Sequence, residues 1–257
     1  MALSPPSVLP TVILLWHGSR DRRAALGFEQ LVHNCQTQLA PQPVRGCQLE
    51  CGSVPLEQQL HVILSKPGIS ESAIVVPIFM GAGVHVRDDI PAAIAACQQQ
   101  HPGAEIVVLP PLGQSVALVD VLRDRCAAYS EIDAWLIWGH GSRLPAMARG
   151  LDKVRTQLVS RLSGQPVALA FWAQQPTWHD AVRSLAGKGH RQIGILPCTW
   201  FAGSLVDRLA AEIRAWQSQH QDWRVYLADV LVPHPCWVNE IERQVRSCNA
   251  LQSDPAA

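Results

Sequence analysis

Two histidines in this chain occupy the same tetrapeptide. His17 opens His17-Gly-Ser-Arg20 after the apolar run Val12–Trp16, and His140 opens His140-Gly-Ser-Arg143 after a similar run. A third, His85, lies in the glycine-containing stretch Gly81-Ala-Gly-Val-His-Val-Arg-Asp-Asp89, and Glu50 closes the β-rich run Val44–Glu50. Two imidazoles and one carboxylate form a donor set that suits iron(II) or cobalt(II) and leaves coordination positions open. A neutral imidazole can also take up a proton near neutral pH. These residues come from distant stretches, so they share chemistry only if the fold gathers them.

The elements predicted around them can do so. Short apolar runs fall at Val12–Trp16, Val44–Glu50, Ala73–Phe79 and Glu105–Leu109, and again at Ala134–Trp138, Val167–Trp172, Gln192–Pro197 and Arg224–Asp229. Apolar on both faces and bounded by Gly, Pro or polar residues, they read as buried parallel strands. Stretches with helical periodicity separate them. Arg22–Leu39 places Ala25, Phe28, Leu31, Val32 and Cys35 on one side, and Leu205–Trp216 follows Ser204 as a candidate N-cap. Such alternation predicts an α/β fold of two parallel sheets flanked by helices. Ligands of such sheets bind beyond the carboxyl ends of the strands, which is where His17, Glu50 and His85 fall. Asp88 or Asp89 would cap the helix after His85, with Pro91 in its first turn.

The two sets of strands are repeats. The His-Gly-Ser-Arg tetrapeptides, Pro77 and Pro197, Gly83 and Gly203, and Pro111–Ser115 with Leu231–His234 recur in the same order at nearly constant spacing. This predicts a tandem duplication, residues 1–130 and 131–257, with the boundary near Ala128 to Ile132. Aligned without gaps, Trp172 stands opposite Glu50 and Leu205 opposite His85. Only His140 survives in the second half, so the first half is expected to carry the chemistry and His140 to be structural. His33, His61, His101, His179, His190, His220 and His234 are assigned no role.

Composition narrows the class. Of 257 residues, 48% are hydrophobic and 16% charged, which favours a large core over disorder. Lys+Arg and Asp+Glu both number 21, so no overall field favours nucleic acid or an acidic membrane. Met1–Pro10 lacks Lys and Arg, and Val12–Trp16 is too short for a signal or membrane segment. A cytoplasmic protein is expected, with frayed ends at Met1–Pro10 and Leu251–Ala257. The eight cysteines include no Cys-x-x-Cys pair and are expected to be reduced and mostly buried. No strand is followed by a glycine-rich phosphate loop, which leaves a nucleotide-binding regulator little support.

The two stretches His17–Arg20 and Val76–Pro91, which reads Val-Pro-Ile-Phe-Met-Gly-Ala-Gly-Val-His-Val-Arg-Asp-Asp-Ile-Pro, resemble the class II chelatases. The nearest fit is the sirohydrochlorin cobaltochelatase and ferrochelatase family in its long, two-domain form. The resemblance runs from about Val12 to Val245. It implies two related chelatase-like α/β domains with a cleft between them, and a lyase that inserts Co2+ or Fe2+ into sirohydrochlorin in cobalamin or siroheme biosynthesis. The family's catalytic histidine pair maps onto His17 and His85, and its metal-binding carboxylate onto Glu50. Relatives carry Glu-x-x-Glu-Pro there, whereas this chain reads Glu50-Cys-Gly-Ser-Val-Pro55.

The implied partners are the tetrapyrrole and a divalent metal that is substrate rather than cofactor; no tightly bound cofactor, nucleic acid or membrane is expected. Having both domains in one chain predicts a monomer. His17 and His85 would hold the ion and take up pyrrole protons, with Glu50 completing the shell or relaying a proton. Arg20 and Arg87 would clamp substrate carboxylates, with Ser19 and Gly83 beside them; Ser142 and Trp200 would line the cleft. A carrier that binds metal or tetrapyrrole without catalysing insertion could use the same histidines.

Overall fold

The computed structural model describes residues 9–66, 70–142 and 145–253. Arg143 of the second tetrapeptide lies outside them, as do residues 1–8 and 254–257 of the segments expected to fray. Two four-stranded, wholly parallel sheets are present. The first contains β1 (Thr11–Trp16), β2 (Val44–Gln48), β3 (Ala73–Ile78) and β4 (Ile106–Val108) in the order β2-β1-β3-β4. The second contains β5 (Ala134–Gly139), β6 (Val167–Phe171), β7 (Gln192–Pro197) and β8 (Arg224–Leu227) in the equivalent order β6-β5-β7-β8.

The helices are α1 (Arg22–Leu39), α2 (Leu56–Leu64), α3 (Ile90–Gln100), α4 (Ala117–Ala127), α5 (Pro145–Arg161), α6 (Trp178–Gly187), α7 (Ser204–Gln217) and α8 (Pro235–Ser253). The central strands explain the apolar runs: every residue of β1, β3 and β5 is buried. Ile13, Leu15 and Val75 pack against Leu56, Leu60, Ile90 and Ile94, while Leu136 and Trp138 pack against Trp178, Val182, Leu209 and Ile213. Each such side chain withdrawn from water contributes about 1.5–3 kcal/mol before ordering costs.

Several local expectations are corrected. α7 begins at Ser204, so Gly203 and not Ser204 is its cap, without a side-chain hydrogen bond. On α1 the fully buried face is Ala24, Phe28, Leu31, Cys35 and Leu39; Ala25 and Val32 are only half-buried because they lie beside the open edge strand β2. Helix α8 continues through Leu251 to Ser253, since nothing before Pro255 interrupts it.

Compact packing divides the chain into one unit of Met1–Ser115 with Trp237–Ala257 and another of Val116–Cys236. α4 therefore packs with the second sheet, and the last helix, α8, with the first. In the first unit Gln38 donates to Glu242 at 2.7 Å and Asn249 to Gln42 at 3.2 Å. In the second, α4 packs on α5 and β7.

Candidate metal centre

His17 is the first residue beyond β1. The chain turns at Gly18, which holds φ at +95°, and a Cβ there would fall 2.0 Å from the carbonyl oxygen of Glu50. Glycine is required by both the backbone angle and this approach. It lets the end of β2 close against His17: the N–H of Leu49 donates to Trp16 O at 2.9 Å and that of Glu50 to His17 O at 2.8 Å. The ladder thus continues past Gln48 and delivers Glu50 to the rim.

His85 comes from the third strand's loop. Residues His85–Asp89 form a single π-helical turn ahead of α3, a wide turn of a kind often found at functional positions. Asp89 does not cap α3, contrary to expectation, and Asp88 does not either: Val84 and Asp89 precede helical turns without side-chain capping bonds. Pro91 does sit in the first turn of α3. The Asp89 carboxylate instead accepts from His85 Nδ1 at 2.7 Å.

Both rings are tethered through the same nitrogen. His17 Nδ1 lies 3.3 Å from Gly18 O, and a carbonyl oxygen can only accept. A neutral ring held through Nδ1–H offers its lone pair at Nε2. His17 Nε2 stands 3.5 Å from Glu50 Oε2, and the ring centroids of His17 and His85 are 4.9 Å apart at 76°. One donor atom from each of His17, Glu50 and His85 lies within 4.8 Å of the others. The side chains are 46%, 52% and 36% exposed respectively, so an ion and a large partner can reach them from solvent.

The three predicted donors are therefore brought together. A cavity of about 480 Å³ adjoins Glu50, and Glu50, Glu57 and Asp89 line its wall. Arg20 and Arg87 are exposed, and neither forms an ion pair among the described residues. Ser19 Oγ accepts from the Asp21 N–H at 3.0 Å, which shapes the turn into α1. Gly83 has open space where a Cβ would be. Cys47 is buried in the core, and burial pushes its thiol up to about 12; Cys51 is exposed. Sequence reasoning missed Asp89 as the partner of His85, although the His-x-x-x-Asp spacing, one helical turn, was a usable signal.

The second sheet keeps half of this arrangement. His140 Nδ1 reaches Gly141 O at 3.2 Å, and Gly141 holds φ at +89°. Here, however, the N–H of Ala173 donates to His140 O at 2.9 Å, and that of Trp172 to Gly139 O. Ala173, not Trp172, is the residue opposite Glu50; the ungapped alignment was displaced by one position, and in a strand that exchanges the two faces. Trp172 instead carries the Arg208 guanidinium 5.3 Å from its ring centre. The prolines occupy matching registers, Leu15 with Pro77 and Trp138 with Pro197. Counting on from them reaches Leu205 opposite His85, inside α7 and without a π-helical turn.

Residues 11–129 and 134–248 each match the CbiX family. The chain belongs to that family. Its CbiX relatives include a sirohydrochlorin ferrochelatase of Priestia megaterium, 24% identical over 244 residues, spanning 93% of this chain and 90% of the relative. A sirohydrochlorin cobaltochelatase of the same organism is 23% identical over 237 residues, spanning 88% and 76%. Among solved structures, SirB from Bacillus subtilis with Fe3+ superposes with a TM-score of 0.81 at 21% identity, covering 96% of this CbiX chain and 98% of SirB. The two α/β repeats seen here are thus the fold of that neighbour.

Proposed function

We propose that this chain inserts Co2+ or Fe2+ into sirohydrochlorin, with His17, His85 and Glu50 as its working residues. The observation that carries the reading is convergence: one donor atom from each of His17, His85 and Glu50 lies within 4.8 Å of the others, and Nδ1 of each ring is held by an oxygen. CbiX membership and relatives named for both metals support the substrate.

Insertion requires that pyrrole N–H protons leave and that the metal exchange its ligands one at a time for macrocycle nitrogens. Nε2 of His17 and of His85 serve both steps, first as metal donors and then as proton acceptors once the metal has moved on. Glu50 completes the shell. Asp89 fixes the tautomer and direction of His85 by holding Nδ1–H. Two nitrogens and one oxygen hold an ion less firmly than a set of thiolates, which suits an ion that is cargo. The wall of Glu50, Glu57 and Asp89 gives the approach a negative local field. Arg20 and Arg87 meet substrate carboxylates, beside Ser19 and Gly83.

The same donors accept cobalt and iron, so metal supply sets which is used. The chain acts in the cytoplasm as a monomer with both repeats in one polypeptide. The duplication divides near residue 130, between the two matched stretches. No described helix is long and apolar enough to cross a membrane.

The test is multiple-turnover insertion followed by the absorbance change of the tetrapyrrole. His17→Ala and His85→Ala are expected to abolish it; parental rates in both would overturn the reading. A carrier would stop at one equivalent of product per chain.

A further inference from the structure

The second unit holds another convergent donor set, built from residues to which the insertion reading gives no part. α4 carries Asp124, and the segment entering α8 carries His234 and Cys236. One oxygen, one nitrogen and one sulfur from these residues lie within 4.8 Å of one another. We propose that Asp124, His234 and Cys236 form a second divalent-metal site, softer than the first and of zinc type.

The surrounding structure fixes all three. Arg125 Nη2 donates to Val230 O at 2.7 Å and to Pro233 O at 2.8 Å, which fastens the segment before His234 onto α4. Arg123 grips Asp124 Oδ1 through Nε at 2.9 Å and Nη2 at 2.7 Å. That leaves Oδ2 turned toward His234, in the manner of a ligand oriented by an outer partner. The His234 side chain is only 10% exposed, and its Nε2 stands 3.6 Å from Asp124 Oδ2. This is too long for a hydrogen bond. It is close to the separation of about 3.4 Å expected for two donors sharing a tetrahedral ion at about 2.0–2.1 Å from each.

The donor types set the ligand class. Thiolate, imidazole and carboxylate together favour zinc or a similar borderline ion over magnesium or calcium, and three protein donors leave a fourth position for water. An imidazole binds such an ion in its neutral form. Binding has two costs. Cys236 must lose its proton to bind as a thiolate. His234 Nδ1 now accepts from the Cys236 N–H at 3.3 Å; coordination through Nε2 moves the ring proton to Nδ1 and gives up that long contact.

Cobalt(II) is the probe, because a thiolate bound to it absorbs by charge transfer and nitrogen or oxygen donors do not give that band. The full chain carrying His17→Ala and His85→Ala removes the first site. Titrated with Co2+ under a phosphine reductant, it should develop the thiolate band with saturation at about one equivalent per chain. Cys236→Ser should remove the band, and Asp124→Asn should weaken cobalt binding at least about tenfold. Zinc should displace the cobalt and raise the thermal midpoint. A band that persists in Cys236→Ser, or no band in a chain whose melting is cooperative, overturns the site. If Cys236→Ser does not fold, Asp124→Asn decides: undiminished affinity in that variant refutes the proposal. Loss of insertion in the histidine variants leaves this result untouched, so the two readings fail separately.

Discussion

The backbone N–H of Glu50 donates to the carbonyl oxygen of His17 at 2.8 Å, and the side chains of the same two residues meet again at 3.5 Å, Oε2 to Nε2. One register contact between β1 and the end of β2 therefore sets the spacing of two candidate donors. Gly18 makes that contact possible. Gly18→Ala should force a Cβ into Glu50 O and an unfavourable φ, destabilising the chain by about 1–3 kcal/mol and weakening cobalt binding. Gly83→Ala, with open space around it, should stay within about 0.5 kcal/mol. Urea unfolding of the two variants checks the contrast.

His17→Ala and His85→Ala should each lower the insertion rate by at least about 100-fold, the range for loss of a positioned base. Because these side chains are exposed rather than packed in the core, thermal midpoints should hardly move. Glu50→Gln, which keeps the shape and removes the charge, should raise the metal concentration needed for half-maximal rate. Rate against metal concentration, measured beside thermal melts, distinguishes loss of site from loss of fold.

Asp89 and Asp88 are neighbours with different tasks. Asp89→Asn removes the carboxylate that holds His85 Nδ1 at 2.7 Å and should cost about 10–100-fold in cobalt affinity or insertion rate. Asp88→Asn should change neither. Equal effects of the two substitutions would mean that local charge, and not the hydrogen bond to His85, is what counts.

Glu240 makes stability depend on acid. It is 6% exposed; burial pushes its carboxyl up, but hydrogen bonds from Arg243, Gln244 and Ser115 outweigh that and leave it below its ordinary value of 4.5. A carboxyl depressed in the folded state gives stability that is present above its unfolded pKa and is lost as pH falls through the folded one. Glu240→Gln should therefore cost about 1–2 kcal/mol at neutral pH and flatten the stability curve below pH 4.5. Urea midpoints measured from pH 7 down to acid test the slope.

Much of the fold was readable because its signals are local. Apolar runs buried on both faces declared the parallel strands, and Arg22–Leu39 declared α1 to the residue. The gathering of His17, Glu50 and His85 was also legible, since in a parallel sheet every strand delivers its next residue to the same edge. The place of α4 and α8 in the compact units was not, because a helix's own periodicity shows that it has a buried face but not which sheet covers it.

The sequence by itself determined the repeat, the two α/β sheets and the gathering of His17, Glu50 and His85, the candidate donors, at the end of the first, because strand burial and chain order leave little freedom there. Tertiary structure alone decided that Ala173 and not Trp172 stands opposite Glu50, since the pairing register of an edge strand is fixed by hydrogen bonds to its neighbour. It also decided that Asp89 holds a ring and not a helix end, that His17 Nε2 turns toward the Glu50 carboxylate, and that His234 lies against Asp124. Those are questions of direction, and a side chain's direction is set by the packing of segments far apart in the chain.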